Sequence, residues 1–354
     1  MKILTVIGAR PQFIKAAALS KEILKHNDIK EIIVHTGQHF DTNMSSVFFE
    51  EMKIPKPDYY LDINSLSHGA MTGRMLEEIE KIILSEKPDF VLVYGDTNST
   101  LAGALAAKKL HIKVVHVEAG LRSFDMNMPE EINRILTDQI SDILFCPTET
   151  AVNNLKEEGF FKKQNIKIVK SGDIMFDSVL LFKQNMKKPE IDLPENFILA
   201  TLHRQENTDN YNRITKIIDA FNKLAEQGIN IVLPLHPRTA KIIKKLNLKV
   251  DFKTIDPVSY FEMIYLLENS KLVITDSGGL QKEAYFFNKY CITLRDTTEW
   301  VELVENGYNT LIDFDKDIFS QIINLIDKKI DNSKFLYGDG KTSQIIINQL
   351  KNNL

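Results

Sequence analysis

Short apolar runs alternate with longer mixed segments along almost the whole chain. Val91–Tyr94 and Val114–Val117 are Val-rich, too short for helices and followed by polar turns, which predicts buried strands. Between them, Leu101–Leu110 is a small, Ala-rich segment of helical character. Strand, helix, strand is the repeating unit of a parallel sheet. Lys2–Ile7, Glu31–Thr36, Ile143–Cys146 and Ile168–Lys170 add strands to this half. Helices are expected over 11–25, with Pro11 as opening residue, over His68–Glu86 with an amphipathic pattern, and from Pro129 onward. The second half repeats the alternation, with strands near 197–202, 231–235, 252–255, 272–275, 290–294 and 309–312. The tail, 341–354, reads as one more helix.

A chain of 354 residues exceeds one ordinary core, so two domains are expected. A helical run from Ile174 to Lys188 leads into Pro189–Glu195, rich in Pro and Glu, and this shift in composition marks the division. The expected domains are 1–172 and 173–340, with helix 341–354 packing back on the first. A hydrophobic content of 44% describes a soluble globular protein, and a net charge of −4 argues against nucleic-acid and anionic-membrane partners. The two cysteines, Cys146 and Cys291, lie in apolar strand-like runs, a reduced pattern with no zinc spacing. No apolar run is long enough for a bilayer or a signal-peptide core, so a cytoplasmic protein is expected.

Ligands of parallel sheets bind beyond the carboxyl ends of the strands, and the candidate chemistry clusters there. Asp96 follows one Val-rich strand and Glu118 the next, two carboxylates placed for acid–base work on a bound small molecule. Arg10 and Lys15 lie at the first strand-to-helix junction and are either an anion site or a surface Arg and a solvated helix Lys. Glu130 and Glu131 open a helix and are either functional or complements of its dipole, and Asp41 is placed to cap a helix running to Met52. In the second half, His203 and His236 end strands and are each followed by a nearby Arg, which favours anion binding over a structural role. Asp276-Ser277-Gly278-Gly279 opens a helix and is either an ordinary capped turn or a phosphate cradle, with Glu283 one turn in to reach ribose hydroxyls, and its place after a buried strand favours the cradle. Asp313-Phe314-Asp315-Lys316-Asp317 spells a metal-like motif, but its place before a late helix favours capping. Scattered histidines and the absence of H-E-x-x-H give no metal site.

Taken together, these motifs resemble the non-hydrolysing UDP-N-acetylglucosamine 2-epimerases over essentially the whole chain. The matching pieces are GARPQFIK (8–15), TGQHFD (36–41), GDTNSTLAGALAA (95–107), HVEAGLRS (116–123), MPEEINR (128–134), LHRQEN (202–207), HPR (236–238), TDSGGLQKEA (275–284), LRDTTE (294–299) and YGDGK (337–341). The resemblance implies an α/β, glycosyltransferase-B-like fold of two Rossmann-like domains with an active-site cleft between them. It also implies a homodimer, a UDP-sugar substrate, and neither a metal nor a dissociable cofactor. Carried over position by position, Asp96, Glu118 and Glu130 are the acid–base carboxylates. His203, Arg10 and Lys15 sit by the diphosphate, and Ser277, Gly278, Gly279 and Glu283 hold the UDP. Gln38, His39 and Arg74 are candidates for a second, regulatory UDP-sugar site of the kind some relatives have.

One position departs from the pattern. After Asp-Thr-Thr-Glu the family commonly has Arg-Pro, where this chain has Trp300-Val301. That resembles the branch that epimerises UDP-2,3-diacetamido-2,3-dideoxy-glucuronate to the manno form, and it leaves the exact sugar open. Three other readings fit parts of the pattern: a glycosyltransferase of the same architecture, a hydrolysing epimerase, and a non-enzymatic UDP-sugar-binding regulator.

Overall fold

The computed structural model describes residues 1–38, 54–330 and 334–353, so His39 and Asp41 lie outside the described residues. The chain forms two compact units, Met1–Leu181 with Phe335–Leu354, and Phe182–Lys334. Helix Ile174–Phe182 therefore falls almost wholly in the first unit, and the division after Leu181 lies between the expected 172/173 bound and the Pro- and Glu-rich stretch 189–195.

The first unit carries a seven-stranded sheet. Its strands are β1 (Lys2–Ile7), β2 (Lys30–His35), β3 (Tyr59–Tyr60), β4 (Phe90–Tyr94), β5 (Lys113–Val117), β6 (Ile143–Cys146) and β7 (Lys167–Lys170). They lie in the order β3-β2-β1-β4-β5-β6-β7 and every pairing is parallel. Leu4, Val6, Val91, Val93 and Val114 are all fully buried, as a sheet covered on both faces requires. The Ala-rich segment is helix Asn98–Lys109, and its small residues have a steric reason. A Cβ on Gly103 would stand 3.1 Å from methyls of both Val6 and Val93, so this helix lies hard against β1 and β4. Strand order reverses between β1 and β4, which makes their carboxyl ends the switch point where ligands bind.

The C-terminal helix, Thr342–Lys351, belongs to this unit and is held by one carboxylate. Asp177 accepts hydrogen bonds from the backbone N of Thr342 at 3.1 Å, from that of Ser343 at 2.7 Å and from the Ser343 hydroxyl at 2.8 Å. These are donors that a helix start leaves unsatisfied.

The second unit has six parallel strands: β8 (Ile198–Thr201), β9 (Ile231–Pro234), β10 (Lys253–Ile255), β11 (Leu272–Thr275), β12 (Cys291–Thr293) and β13 (Asn309–Leu311). Their order, β10-β9-β8-β11-β12-β13, is the doubly wound dinucleotide-fold order, with its switch point between β8 and β11. The core joins Ile198, Ala200, Leu272, Ile274 and Ile292 of the sheet to Ile214, Ile217, Phe221 and Leu224 of helix Tyr211–Glu226. Asp317 caps helix Ile318–Leu325 through the backbone N of Ser320 at 2.8 Å, so capping accounts for the end of the acidic run. Cys146 and Cys291 are buried in β6 and β12, and burial pushes the Cys291 thiol up to about 12. Among the described residues, no helix is long and apolar enough to cross a membrane.

His35, the last residue of β2, is buried against the rings of Phe13 at 4.9 Å and Tyr60 at 5.5 Å, and its Nδ1 accepts from the backbone N of Gly37. Burial lowers its pKa from 6.5 to about 4. The unfolded chain therefore binds a proton here that the folded chain refuses, and stability rises with pH in that window. The contribution is complete above pH 6.5 and declines as pH falls towards 4, by up to about 3 kcal/mol. Denaturant titrations across this range should show His35→Gln losing much of that slope; an unchanged slope would remove His35 as its source.

Candidate functional site

At the β1/β4 switch point one side chain sets the turn geometry. Gln12, in the first turn of helix Arg10–Ile23, accepts from the backbone N of Gly8 at 2.8 Å and of Ala9 at 3.0 Å, and donates to the Tyr94 carbonyl at 2.8 Å. The helix begins at Arg10, so Pro11 is its second residue rather than its first. Arg10 is half-buried at the helix start. Lys15, one turn further on, is buried, and its Nζ forms an ion pair with Oε2 of Glu118, itself buried. Lys15 is thus bound to one of the three expected acid–base carboxylates, rather than standing as a solvated helix Lys.

Glu118 follows β5 with φ at +74°, the left-handed region that a non-glycine residue occupies only under constraint. Asp96 follows β4, the adjacent strand, and is half-buried. Its carboxylate accepts from Arg134 Nη2 at 2.5 Å, and its carbonyl from Asn133 Nδ2 at 3.0 Å. Arg134 also binds Glu131 at 2.9 Å. Glu131 is fully buried and takes hydrogen bonds from the backbone N of Ser123 and of Phe124, both at 2.9 Å, so it anchors a loop rather than complementing a dipole. Glu130, its neighbour, is exposed in the first turn of helix Pro129–Ile140. Gln38 accepts from the Ser99 backbone N and hydroxyl at 3.0 and 2.8 Å, while Arg74 is exposed on helix His68–Glu86.

The second unit builds its edge around Asp276, which is fully buried after β11. Its carboxylate accepts from the backbone N of His203 at 2.9 Å and of Arg204 at 2.8 Å, and from Asn207 Nδ2 at 3.2 Å. Oδ1 lies 3.2 Å from Nδ1 of His203. This fixes the turn after β8 and leaves the His203 ring half-exposed. The rings of His203 and His236 stand 5.8 Å apart. His236 is exposed and caps helix Pro237–Lys245, and burial with the nearby His203 and Arg238 lowers its pKa. Ser277 is half-buried as N-cap of helix Gly278–Phe286, Gly279 is exposed in its first turn, and Glu283 is buried one turn on.

Gly278 must be glycine, because a Cβ there would meet Glu299 Oε1 at 2.3 Å. Glu299 cannot easily yield, since Arg295, buried beside it, donates to its other oxygen at 2.9 Å. Trp300 is buried behind this turn, donating from Nε1 to the Gly278 carbonyl at 3.0 Å with the Lys282 Nζ 3.9 Å over its ring. An open hollow of about 760 Å³ lies past the ends of β9 and β10 at the same edge, lined in part by Leu235, Asp256 and Val258.

The strand ends read from the sequence carry the carboxylates and the glycine turn, while the residues that hold them were missed. Gln12, His116, Asp138 and Glu299 all fall inside the matched motifs or beside them, Asp276 was read only as part of its turn, and a polar residue within a buried apolar run, as His116 is, was the available signal.

Two doubly wound sheets, one with carboxylates at neighbouring strand ends and the other with a glycine helix start after its fourth strand in chain order, give a glycosyltransferase-B-like α/β fold. The family follows from comparison: a family model described as UDP-N-acetylglucosamine 2-epimerase matches residues 21–351, and the chain belongs to that family of isomerases. It is 59% identical over 352 residues to the UDP-2,3-diacetamido-2,3-dideoxy-D-glucuronate 2-epimerase of Pseudomonas aeruginosa, covering 99% of each chain. The crystal structure of Methanocaldococcus jannaschii UDP-GlcNAc 2-epimerase with UDP-GlcNAc and UDP matches with a TM-score of 0.89 at 43% identity, covering 99% of this chain and all of that one. The Neisseria meningitidis UDP-GlcNAc 2-epimerase bound to UDP-GlcNAc matches with a TM-score of 0.88 at 33% identity over the full length of both.

The Lys15–Glu118 pair sets a stability test. Lys15→Met removes the cation of a buried ion pair and should cost about 3–5 kcal/mol. Adding Glu118→Gln should restore most of it, as read by denaturant melts of the two single variants and the double. Strictly additive losses would mean the two side chains do not depend on each other.

Proposed function

We propose that this chain is a non-hydrolysing 2-epimerase of UDP-2,3-diacetamido-2,3-dideoxy-glucuronate. The single observation that carries the sugar is the 59% identity to the Pseudomonas aeruginosa enzyme named for it, against 43% and 33% for the two UDP-GlcNAc epimerases of known structure. Trp300, in place of the Arg common in the family, supports the same choice. UDP-N-acetylglucosamine is the second reading, favoured by those two structures.

The chemistry explains why such residues are needed. The hydrogen on C2 of an acetamido sugar is not next to a carbonyl, so a carboxylate cannot simply remove it. As UDP leaves C1, positive charge develops at the anomeric carbon and acidifies that hydrogen. In this reading the diphosphate is gripped by His203, His236, Arg10 and the helix start at Ser277–Gly279, whose preorganised donors stabilise the departing charge. Glu283 meets the ribose, and the hollow past β9 and β10 gives room for the base. Asp96, Glu118 and Glu130 supply the proton acceptor and donor. Lys15, paired with Glu118, balances that carboxylate in a buried place and adds positive charge near the leaving group. Loss of UDP gives a 2-acetamidoglycal. A proton delivered to the opposite face of C2 and return of UDP to C1 then yield the epimer, with no bond to water made or broken.

The same reading makes the protein a cytosolic homodimer that feeds surface-polysaccharide synthesis. Two unpaired, buried cysteines fit a reducing compartment.

Incubation with each UDP-sugar alone in heavy water, followed by NMR, tests the reaction. The diacetamido-uronate should be converted with deuterium at C2 of the product and without steady release of free UDP. Product lacking the label would point to redox chemistry at another carbon, and accumulating UDP to a hydrolysing enzyme. Conversion that requires an added sugar acceptor would point to a glycosyltransferase. Asp96→Asn and Glu118→Gln should each lower turnover by roughly 10²–10⁴ while UDP binding is nearly kept. Normal turnover in both would remove these two carboxylates from the chemistry.

A further inference from the structure

Helix Pro129–Ile140 is turned inside out. Its buried side chains are Glu131, Asn133, Arg134, Thr137 and Asp138, all polar, whereas Ile132 and Leu136 are 40% and 46% exposed. Buried polar groups cost free energy unless matched, and here the matches lead to the two strand-end carboxylates. Arg134 and Asn133 take Asp96, as described above. Asp138, fully buried one turn further along the same face, takes Glu118 indirectly.

Asp138 Oδ1 lies 2.7 Å from Nδ1 of His116, and Oδ2 accepts from the backbone N of Gly120 at 3.1 Å. One carboxylate thus grips the residue two before Glu118 and the residue two after it. Glu118 is the residue whose left-handed backbone needs external constraint. Oδ2 also accepts from Arg122 Nη1 at 2.7 Å, and Arg122 in turn holds Glu158 through Nε at 2.6 Å and Nη2 at 2.8 Å. The far side of the His116 ring closes the circuit, for Nε2 lies 2.7 Å from the carbonyl oxygen of Gly95, the residue before Asp96.

The partners of this circuit are fixed by chemistry. A carbonyl oxygen carries no proton, so Nε2 donates to Gly95. Asp138 already accepts from the Gly120 backbone N and from Arg122, and burial works to raise its carboxyl, but the hydrogen bond from His116 and the charges of His116 and Arg122 prevail and hold it below its ordinary value. Both ring nitrogens of His116 are thus tied to oxygens, one of Asp138 and one of Gly95 in the turn that carries Asp96.

We propose that Asp138 and His116 are positioning residues for the acid–base pair. They fix Glu118 in its left-handed conformation and tie the Gly95–Asp96 turn to it, so that the two carboxylates keep one geometry. Neither residue needs to touch the sugar. The proposal deepens the epimerase reading and rests on it for the identity of the reaction.

Asp138→Asn removes the charge at nearly constant size, and His116→Gln removes the link to Gly95. Each should lower kcat by about 10²-fold, with KM and the UDP dissociation constant within about twofold of the parent. A residue needed only for folding would not split kcat from KM in this way. Nitrogen NMR of the histidine-labelled parent should show one ring hydrogen-bonded at both nitrogens, assigned to His116 by its loss in His116→Gln, with the bond at Nδ1 altered in Asp138→Asn. Should Asp138→Asn fail to fold, His116→Gln and the parent spectrum decide. Parental kcat in a folded variant, a matching rise in KM, or a His116 ring in the parent that lacks either hydrogen bond overturns the proposal. The ring measurement needs no substrate, so a parent chain inert to both UDP-sugars yet showing both hydrogen bonds would sink the epimerase reading while supporting the clamp.

Discussion

Two carboxylates at the ends of neighbouring strands repel each other and resist burial, and everything at this edge of the first unit answers that constraint. Strands lie only about 4.8 Å apart, so sheet geometry alone forces Asp96 and Glu118 close together. Lys15, from the helix after β1, pairs with Glu118, and Arg134, from helix Pro129–Ile140, pairs with Asp96. The cations come from different elements, so charge balance at the site depends on β1, β4, β5 and two helices holding their places together. Those elements meet at the reversal of strand order, the one place in such a sheet where side chains from several loops converge on open space.

The second unit meets a different need. The turns at its edge need acceptors for their backbone N–H groups. Asp276 supplies them from a fully buried position, with its oxygens turned towards the backbone of His203 and Arg204. Beside it stand two imidazoles and the start of a helix whose first residue must be glycine. Arg295, Glu299 and Trp300 stand behind that glycine and leave it no freedom to shift. Trp300 is thus a structural support for the turn, whatever it also does for the choice of sugar.

Much of this was legible in the sequence because parallel strands buried on both faces write themselves as unbroken apolar runs. Twelve of the strands fall within a residue or two of where those runs predict them. Tyr59–Tyr60 does not, being a two-residue edge strand too short to leave a period. Strand ends in turn located Asp96, Glu118, His203 and the Ser277–Gly279 turn. The supporting residues were illegible for a physical reason. Whether a charged residue faces solvent or the inside of a site depends on helix rotation, and helix Pro129–Ile140 reverses the usual rule by burying its charges and exposing Ile132 and Leu136. Glu130 and Glu131 make the point: adjacent and chemically alike, one is exposed and the other fully buried beneath a loop.

The account turns on one bond. If Asp96 and Glu118 work on a hydrogen made acidic by a departing diphosphate, the bond from C1 to the bridging oxygen must break and reform in every turnover. Heavy oxygen placed at that bridging position of the UDP-sugar reports this directly. The β-phosphate of enzyme-held UDP can rotate before it returns, so the label should migrate to the non-bridging positions of recovered substrate and product during epimerisation. Epimerisation with the label still confined to the bridge, under conditions where the bound diphosphate is free to turn, would contradict it.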